Sequence, residues 1–276
     1  MAAGRVRTAL VTGASSGIGL ELGRLLARDG ARVVMVARDE GRLQRAARWV
    51  QAEVPAAALT LLPVDLAAAG AAAALHERVA RDIGDVDLLI NNAGVGLSGQ
   101  FAKSDPEAVA SLVQLNVVAL TELTGLFLRD MLARRAGRIL NVASTAAYLP
   151  GPGMAVYYAT KAFVLSFSEA LAEETAGSGV TVTALCPGPI DTGFAARAGI
   201  EGSRLLRSPL KVPAAQVAAA GYRGALEGRK VVVPGLANKV MVEGLRLIPR
   251  AVAASLAGRA HEPAAGDDGP PDGSAR

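Results

Sequence analysis

Residues 7–19 read Arg7-Thr8-Ala9-Leu10-Val11-Thr12-Gly13-Ala14-Ser15-Ser16-Gly17-Ile18-Gly19, and the order of residue types in this stretch points to the architecture. A short apolar run that ends in glycine and serine is a buried strand meeting a tight turn. From Gly17 to Arg28, Leu20, Leu22, Leu25 and Leu26 are interleaved with Glu21, Arg24 and Arg28 in a helical pattern. A second short apolar run, RVVMVA at 32–37, follows. Strand, helix and strand make a βαβ unit. The turn at its first junction presents backbone N–H groups at the positive end of a helix, where a diphosphate fits. Gly13 allows the turn, Gly17 lets backbone approach a phosphate with no Cβ between them, and Gly19 permits close helix packing.

Working outward, further short apolar runs stand at 59–64, 86–91, 138–143, 180–186 and 230–233, with helical patterns in the gaps. Strands that are short, apolar on both faces and spaced by helices belong to a parallel sheet covered on two sides. The expected fold is therefore α/β, a doubly wound Rossmann-type parallel sheet of seven strands with helices on both faces. No internal repeat interrupts the alternation, so residues 1–261 are read as one domain. Residues 262–276 are rich in Pro, Gly and Asp and contain no large apolar side chain, which predicts a disordered tail.

Composition narrows the chemistry. The 276 residues are 51% hydrophobic, 20% charged and 4% aromatic, so the core is built mainly from Ala, Val and Leu. One cysteine, Cys186, excludes a disulfide framework, and two histidines, His76 and His261, are too few for a zinc cluster. Metal-free chemistry in the cytoplasm is the expectation, with Cys186 a small core residue, His76 an exposed helix residue and His261 part of the tail. A net charge of +4 is too small to suggest a nucleic-acid partner. No charge-free apolar stretch of about 18 residues is present, so no transmembrane helix is expected. The basic start at Arg5 and Arg7 is a poor match to a signal peptide.

Several separated motifs now combine. Beside the turn from Thr12 to Gly19 stand Asp65-Leu66 after the third strand, Asn91-Asn92-Ala93-Gly94 after the fourth and Asn116 in a helix at 108–128. Ser144 follows the fifth strand, then Tyr157-Tyr158-Ala159-Thr160-Lys161, with Pro187-Gly188 after the sixth strand. In order and placement, over roughly residues 7–233, the chain resembles the compact single-domain branch of the short-chain dehydrogenase/reductase family. The resemblance implies a nicotinamide dinucleotide along Gly13, Ser15, Ser16, Gly17, Ile18 and Gly19. It puts the adenine between Asp65 and Leu66 and the adenosine ribose side along Asn92, Ala93 and Gly94. It also implies that Gly188, Ile190 and Thr192 hold the carboxamide, with Pro187 among the cofactor-binding residues. Relatives specific for NAD carry a carboxylate at the end of the second strand. Here Ala37 is followed by Arg38, whose guanidinium suits a ribose phosphate, so NADP is expected over NAD. Against that, the second basic residue found in the glycine turn of many phosphate-preferring relatives is replaced by Ser16.

Tyr157 and Lys161 are four residues apart, so on one helix they share a face. A phenol titrates near ~10, and a neighbouring ammonium that favours phenolate suits it to acid/base work near neutral pH. Ser144 would donate to the reacting oxygen. Tyr158 fits the motif less well and is read as packing or substrate-facing. By resemblance, Lys161 also holds the nicotinamide ribose, and Asn116 kinks its helix and holds a water that completes a proton relay. The implied reaction is hydride transfer between a carbonyl and a secondary alcohol, with Asn116, Ser144, Tyr157 and Lys161 catalytic and Ser144 and Tyr157 touching substrate. A non-catalytic dinucleotide-responsive regulator, and a lyase or epimerase using the same cofactor, are the competing readings.

A substrate loop is expected at 193–213, where Phe194, Ile200, Leu205 and Leu206 suggest an apolar, acyl- or steroid-like ketone. Residues 197–260 hold eleven Lys/Arg against three Glu. Their C-terminal part, a helical extension at 236–260, reads as a lid, an interface or a surface-seeking helix in peripheral contact with a membrane. The resemblance also implies a homodimer or homotetramer.

Overall fold

In the computed structural model the apolar runs are seven strands, β1 Thr8–Thr12, β2 Arg32–Ala37, β3 Leu59–Pro63, β4 Leu88–Asn91, β5 Gly137–Val142, β6 Val180–Leu185 and β7 Val231–Val232. All are parallel, in the order β3-β2-β1-β4-β5-β6-β7. The structure describes residues 5–190, 193, 198–199, 210–245 and 247–261. The chain winds outward from β1 to β3, then crosses back to lay β4 along the other side of β1. The winding reverses between these two strands, and the loops at their carboxyl ends diverge to leave a crevice.

Helices α1 Gly17–Arg28, α2 Glu40–Glu53 and α7 Ala214–Leu226 cover one face of the sheet. Leu22, Leu26, Leu43, Val50, Val217 and Tyr222 pack there on Val11, Val33 and Met35. Helices α3 Ala71–Asp82 and α5 Leu120–Ala133 cover the other, with Leu75, Val79, Leu123, Phe127 and Met131 on Leu10, Val34 and Leu89. Leu10 lies in register with Val34 and Leu89, so one layer of aliphatic side chains crosses three strands. Each such side chain taken out of water contributes roughly 1.5–3 kcal/mol.

The helix expected at 108–128 runs from Pro106 to Ala133. It comprises α4 Pro106–Val113, a π turn Gln114–Ala119 and α5, and the π turn contains Asn116. By length and composition it would cross a membrane, yet Leu120, Leu123, Phe127 and Met131 are buried in the fold. α6 Ala155–Glu174 carries both tyrosines and Lys161. The C-terminal extension is two helices, α8 Leu236–Leu245 and α9 Arg250–His261.

Two expectations about histidine are corrected. His261 closes α9 and does not belong to the tail, while residues 262–276 lie outside the described residues. His76 is not exposed: its side chain is 18% accessible, Nε2 lies 2.7 Å from Asp130 Oδ2, and the ring meets Phe127 edge-on. Packing of α3 on α5 turns this side chain inward.

Beneath the strand ends a chain of buried polar groups joins four elements. Asn91 Nδ2 donates to Thr124 Oγ1 and to Asn141 Oδ1, both at 2.9 Å. Asn141 Nδ2 donates to Ser168 Oγ at 3.0 Å, and that hydroxyl donates to Val164 O at 2.6 Å. Asn141→Leu strands one group at each neighbour, and a loss of about 2–4 kcal/mol in urea unfolding is expected. A change within experimental error would mean that these bonds are interchangeable with packing.

Candidate active site

A cleft of about 520 Å³ runs along the carboxyl ends of the strands, from Arg38 and Asp65 at one end to Ser144 and Tyr157 at the other. Between them lies the β1–α1 turn. Gly13 and Gly17 take φ +64° and +56°, values that a Cβ disfavours. A Cβ on Gly19 would stand 2.4 Å from Gly13 O, so the turn closes against α1 only with glycine there. Ser16 is the N-cap of α1, but its side chain makes no capping bond, and the first turn holds no acidic residue. The positive end of a twelve-residue helix thus opens onto the cleft beside Ser15, Ser16, Gly17 and Ile18. That arrangement fits the diphosphate of a dinucleotide.

Thr12, 1% accessible, fastens this turn to β4. Its hydroxyl donates to Ile90 O at 3.2 Å and accepts from the N–H groups of Asn92 and Ala93 at 2.9 and 3.0 Å. Asn92 Nδ2 returns bonds to the carbonyls of Thr12 and Gly13 at 2.9 and 3.2 Å. Asn92, Ala93 and Gly94 do line the cleft, with the Asn92 amide nitrogen bonded to carbonyls of the turn.

At the adenosine end Arg38 is exposed, with Nη1 4.0 Å from Asp65 Oδ2. Asp39, the first carboxylate after β2, caps α2 by accepting from Arg42 N–H at 2.8 Å. Asp65 Oδ1 accepts from Ala67 N–H at 3.0 Å and closes the turn after β3, whereas the N-cap of α3 is Gly70. Leu66 is buried at the wall, and Arg42, which the motifs did not single out, joins Arg38 on the lining.

At the other end, α6 brings Tyr157 and Lys161 onto the cleft opposite Ser144, which follows β5. Ser144 caps a short 3₁₀ turn at Thr145–Tyr148: its Oγ accepts from Ala146 N–H at 3.1 Å and donates to Pro187 O at 3.3 Å. Burial pushes the Tyr157 phenol up to about 12, against a downward pull from a hydrogen bond with Ser144. Lys161, 6% accessible, donates to Val142 O at 2.8 Å, and burial brings its ammonium down to about 8. Nζ lies 5.8 Å from the centre of the Tyr157 ring and is held by the strand. Tyr158 is buried among Ala146, Met154 and Ala198, which favours packing.

Asn116 is 1% accessible in its π turn. Its Oδ1 accepts from Val95 N–H at 3.0 Å, and Nδ2 donates to Val95 O at 2.9 Å and to Thr160 Oγ1 at 3.2 Å. The amide pins the segment after β4 to α6. An amide oxygen has a second lone pair, and Gly94 leaves room beside it. A Cβ on Gly94 would stand 3.2 Å from Asn116 Oδ1 and 3.6 Å from Lys161 Nζ.

Pro187, Gly188 and Ile190 line the same end, while Thr192 and most of the 193–213 loop lie outside the described residues. Leu210, Met241, Leu245 and Leu256 complete an apolar wall. Met241 and Leu245 stand four apart on α8, a pairing visible in the sequence but with no sign of which cavity it faces. Among the described residues no cluster of three metal-ligating side chains occurs.

The sequence profile described as short chain dehydrogenase matches residues 7–201. The chain belongs to the short-chain dehydrogenase family, oxidoreductases acting on alcohols and ketones. It is 36% identical over 182 residues to ketoacyl reductase HetN of a Nostoc species, a match covering 66% of this chain and 63% of that protein. Among solved structures it is similar to a short-chain dehydrogenase from Sphingobium yanoikuyae in complex with NADPH. Identity there is 34%, coverage 91% of this chain and 100% of that one, and the TM-score 0.77. A bulky-bulky ketone specific alcohol dehydrogenase from Comamonas testosteroni is 30% identical, with coverage of 92% and 99% and a TM-score of 0.73. A Burkholderia phymatum member in complex with NAD is 28% identical, with coverage of 86% and 92% and a TM-score of 0.77.

Thr12→Val removes the acceptor for two backbone N–H groups at the crevice, and a loss of about 1–3 kcal/mol by urea unfolding is expected, with Thr12→Ser close to the parent. Equal stability of the valine variant would show that another group takes over those N–H groups.

Proposed function

We propose that this short-chain dehydrogenase interconverts an apolar ketone and its secondary alcohol, using NADP(H) in preference to NAD(H). One observation carries the reading: a single cleft holds Ser144, Tyr157 and Lys161 at one end and Arg38 with Arg42 at the other, with the open end of α1 between them. The glycine turn, Asp65, Leu66 and Asn92 to Gly94 would hold the adenosine and diphosphate, and Lys161, Gly188 and Ile190 the nicotinamide half. A bound nicotinamide supplies or accepts the hydride.

The remaining chemistry belongs to the chain. A phenol held up at about 12 keeps its proton at neutral pH and serves as the donor when a ketone is reduced. Ser144 Oγ orients the carbonyl oxygen toward it. The Lys161 ammonium, at about 8, is mainly charged at neutral pH and stabilises the phenolate that remains. Asn116 fixes the backbone around this group, and the second lone pair of Oδ1 faces the path by which water would return the proton. The wall of Leu210, Met241, Leu245 and Leu256 supports an apolar ketone of acyl or steroid-like bulk, in keeping with the ketoacyl and bulky-ketone activities named for the relatives. Exposed Leu132 on α5 and Phe163 on α6, the latter stacked on Phe167, support association of copies.

A panel of ketones assayed with NADPH and NADH in parallel tests the reading. Tyr157→Phe is expected to keep NADPH binding and lose turnover by about 10²–10⁴-fold; undiminished turnover rejects the assignment. Arg38→Leu is expected to lower kcat/KM for NADPH by about 10–100-fold and leave that for NADH nearly unchanged, as loss of a charge-assisted phosphate contact requires. Equal losses with both dinucleotides would remove Arg38 from the phosphate site.

A further inference from the structure

Asn238, in the first turn of α8, has 0% accessibility and sits where three segments of chain meet. Its Nδ2 donates to Leu210 O at 2.9 Å and to Pro234 O at 3.0 Å. Two residues after Leu210, the Val212 N–H donates to Pro189 O at 3.2 Å, and Pro234 links β7 to α8. The third segment is 187–190. Gly188 lies flat on the amide, for a Cβ there would stand 2.3 Å from Asn238 Oδ1 and 2.6 Å from Nδ2.

The amide has one possible orientation. Turning it over would aim Oδ1 at two carbonyl oxygens, so both N–H groups are committed to Leu210 and Pro234 and Oδ1 must face Gly188. There it finds no hydrogen-bond partner among the described residues, although it is buried. A buried polar group that is only half satisfied costs stability where a leucine of similar size would cost none. Its presence is accounted for if the amide holds backbone in a position that packing alone would not fix. The same helix puts Met241 and Leu245 on the wall of the cleft, so α8 is seated against both the ring end and the substrate end.

We propose that Asn238 is a positioning residue for hydride transfer, clamping the 187–190 segment and the chain at Leu210 so that the nicotinamide ring and the ketone meet at a fixed distance. This rests on the reading of the cleft as an NADP(H) site. The residue touches neither ring nor substrate in this role; it acts through Gly188 and Leu210.

The test uses the full chain and NADPH itself as probe. For Asn238→Ala, titration by nicotinamide fluorescence is expected to give an NADPH dissociation constant nearly unchanged, because the adenosine half is remote. The emission enhancement of the bound ring falls toward that of free NADPH. In single-turnover reduction of whichever panel ketone the parent turns over, the hydride step slows by about 10–100-fold. The pair Gly188→Ala and Gly188→Ala/Asn238→Ala adds an independent arm. If the amide is the surface on which Gly188 rests, removing it relieves the clash of the new methyl, and the double variant outperforms Gly188→Ala alone. Should Asn238→Ala fail to fold, Asn238→Ser, which keeps a donor at the same place, is measured with the same readouts and is expected to show weaker bound-ring emission and a slower hydride step than the parent. Parent-like emission and a parent-like hydride step in the folded variant overturn the proposal while leaving the NADP(H) reading intact. Strictly additive losses in the double variant overturn it as well. A parent protein whose addition leaves NADPH fluorescence unchanged overturns both.

Discussion

Two parallel strands that leave a sheet side by side, with their following loops turning in opposite directions, expose a row of backbone groups that no neighbour satisfies. In this chain that happens at β1 and β4, and one hydroxyl holds the two ends together. Thr12 Oγ1 gives its hydrogen to Ile90 O and receives two N–H groups from Asn92 and Ala93. The bond set is closed, so the crevice keeps its width, and the glycine turn needs to adapt only to what enters. A flexible join here would leave the open end of α1 pointing at no fixed place, and the rest of the cleft is measured from that point. The buried chain from Asn91 through Asn141 to Ser168 extends the same fastening sideways to α6, where the tyrosine and lysine stand.

Electrostatics at the far end follow from enclosure. The same burial that raises a phenol lowers an ammonium, so Tyr157 and Lys161 are driven apart, to about 12 and about 8. Both remain protonated through neutral pH, which suits donation to a ketone. Removal of the proton in the reverse direction asks for a lower phenol value than burial leaves, and Lys161 Nζ, bonded to Val142 O, lies 5.8 Å from the ring centre.

Much of this was legible in the residue order because it is local. Seven apolar runs, the glycine turn and the four-residue spacing of Tyr157 and Lys161 depend on neighbours in sequence, and the strands depart from expectation by at most two residues at their ends. Asn116 stood out as a poor helix former among apolar residues, and the helix accommodates it with a π turn. What stayed hidden depends on contacts between distant residues. His76 read as a surface residue because nothing near it announces Asp130, 54 positions away. Thr12 read only as the start of the glycine turn, since its three partners lie about 80 positions on. The role of Asn238 could not be read from its neighbours, since its partner Leu210 precedes it by 28 residues in a segment with no regular pattern.

The two ends of the cleft are thus built on different principles. The adenosine end is framed by strand termini and the start of a helix, elements whose positions are set by the sheet and its aliphatic layers. The ring end is bounded by segments that follow β6 and β7, and β7 is only two residues long, pairing with β6 alone. So short an edge strand cannot by itself fix the helices that come after it. Their seat must come from side chains, which is where a buried amide with two committed donors has a use that an apolar residue lacks. The cleft lining divides along the same boundary: Arg38, Asp65 and the glycine turn sit at the strand ends, and Met241, Leu245 and Leu256 sit on α8 and α9, where sequence can change without disturbing the sheet.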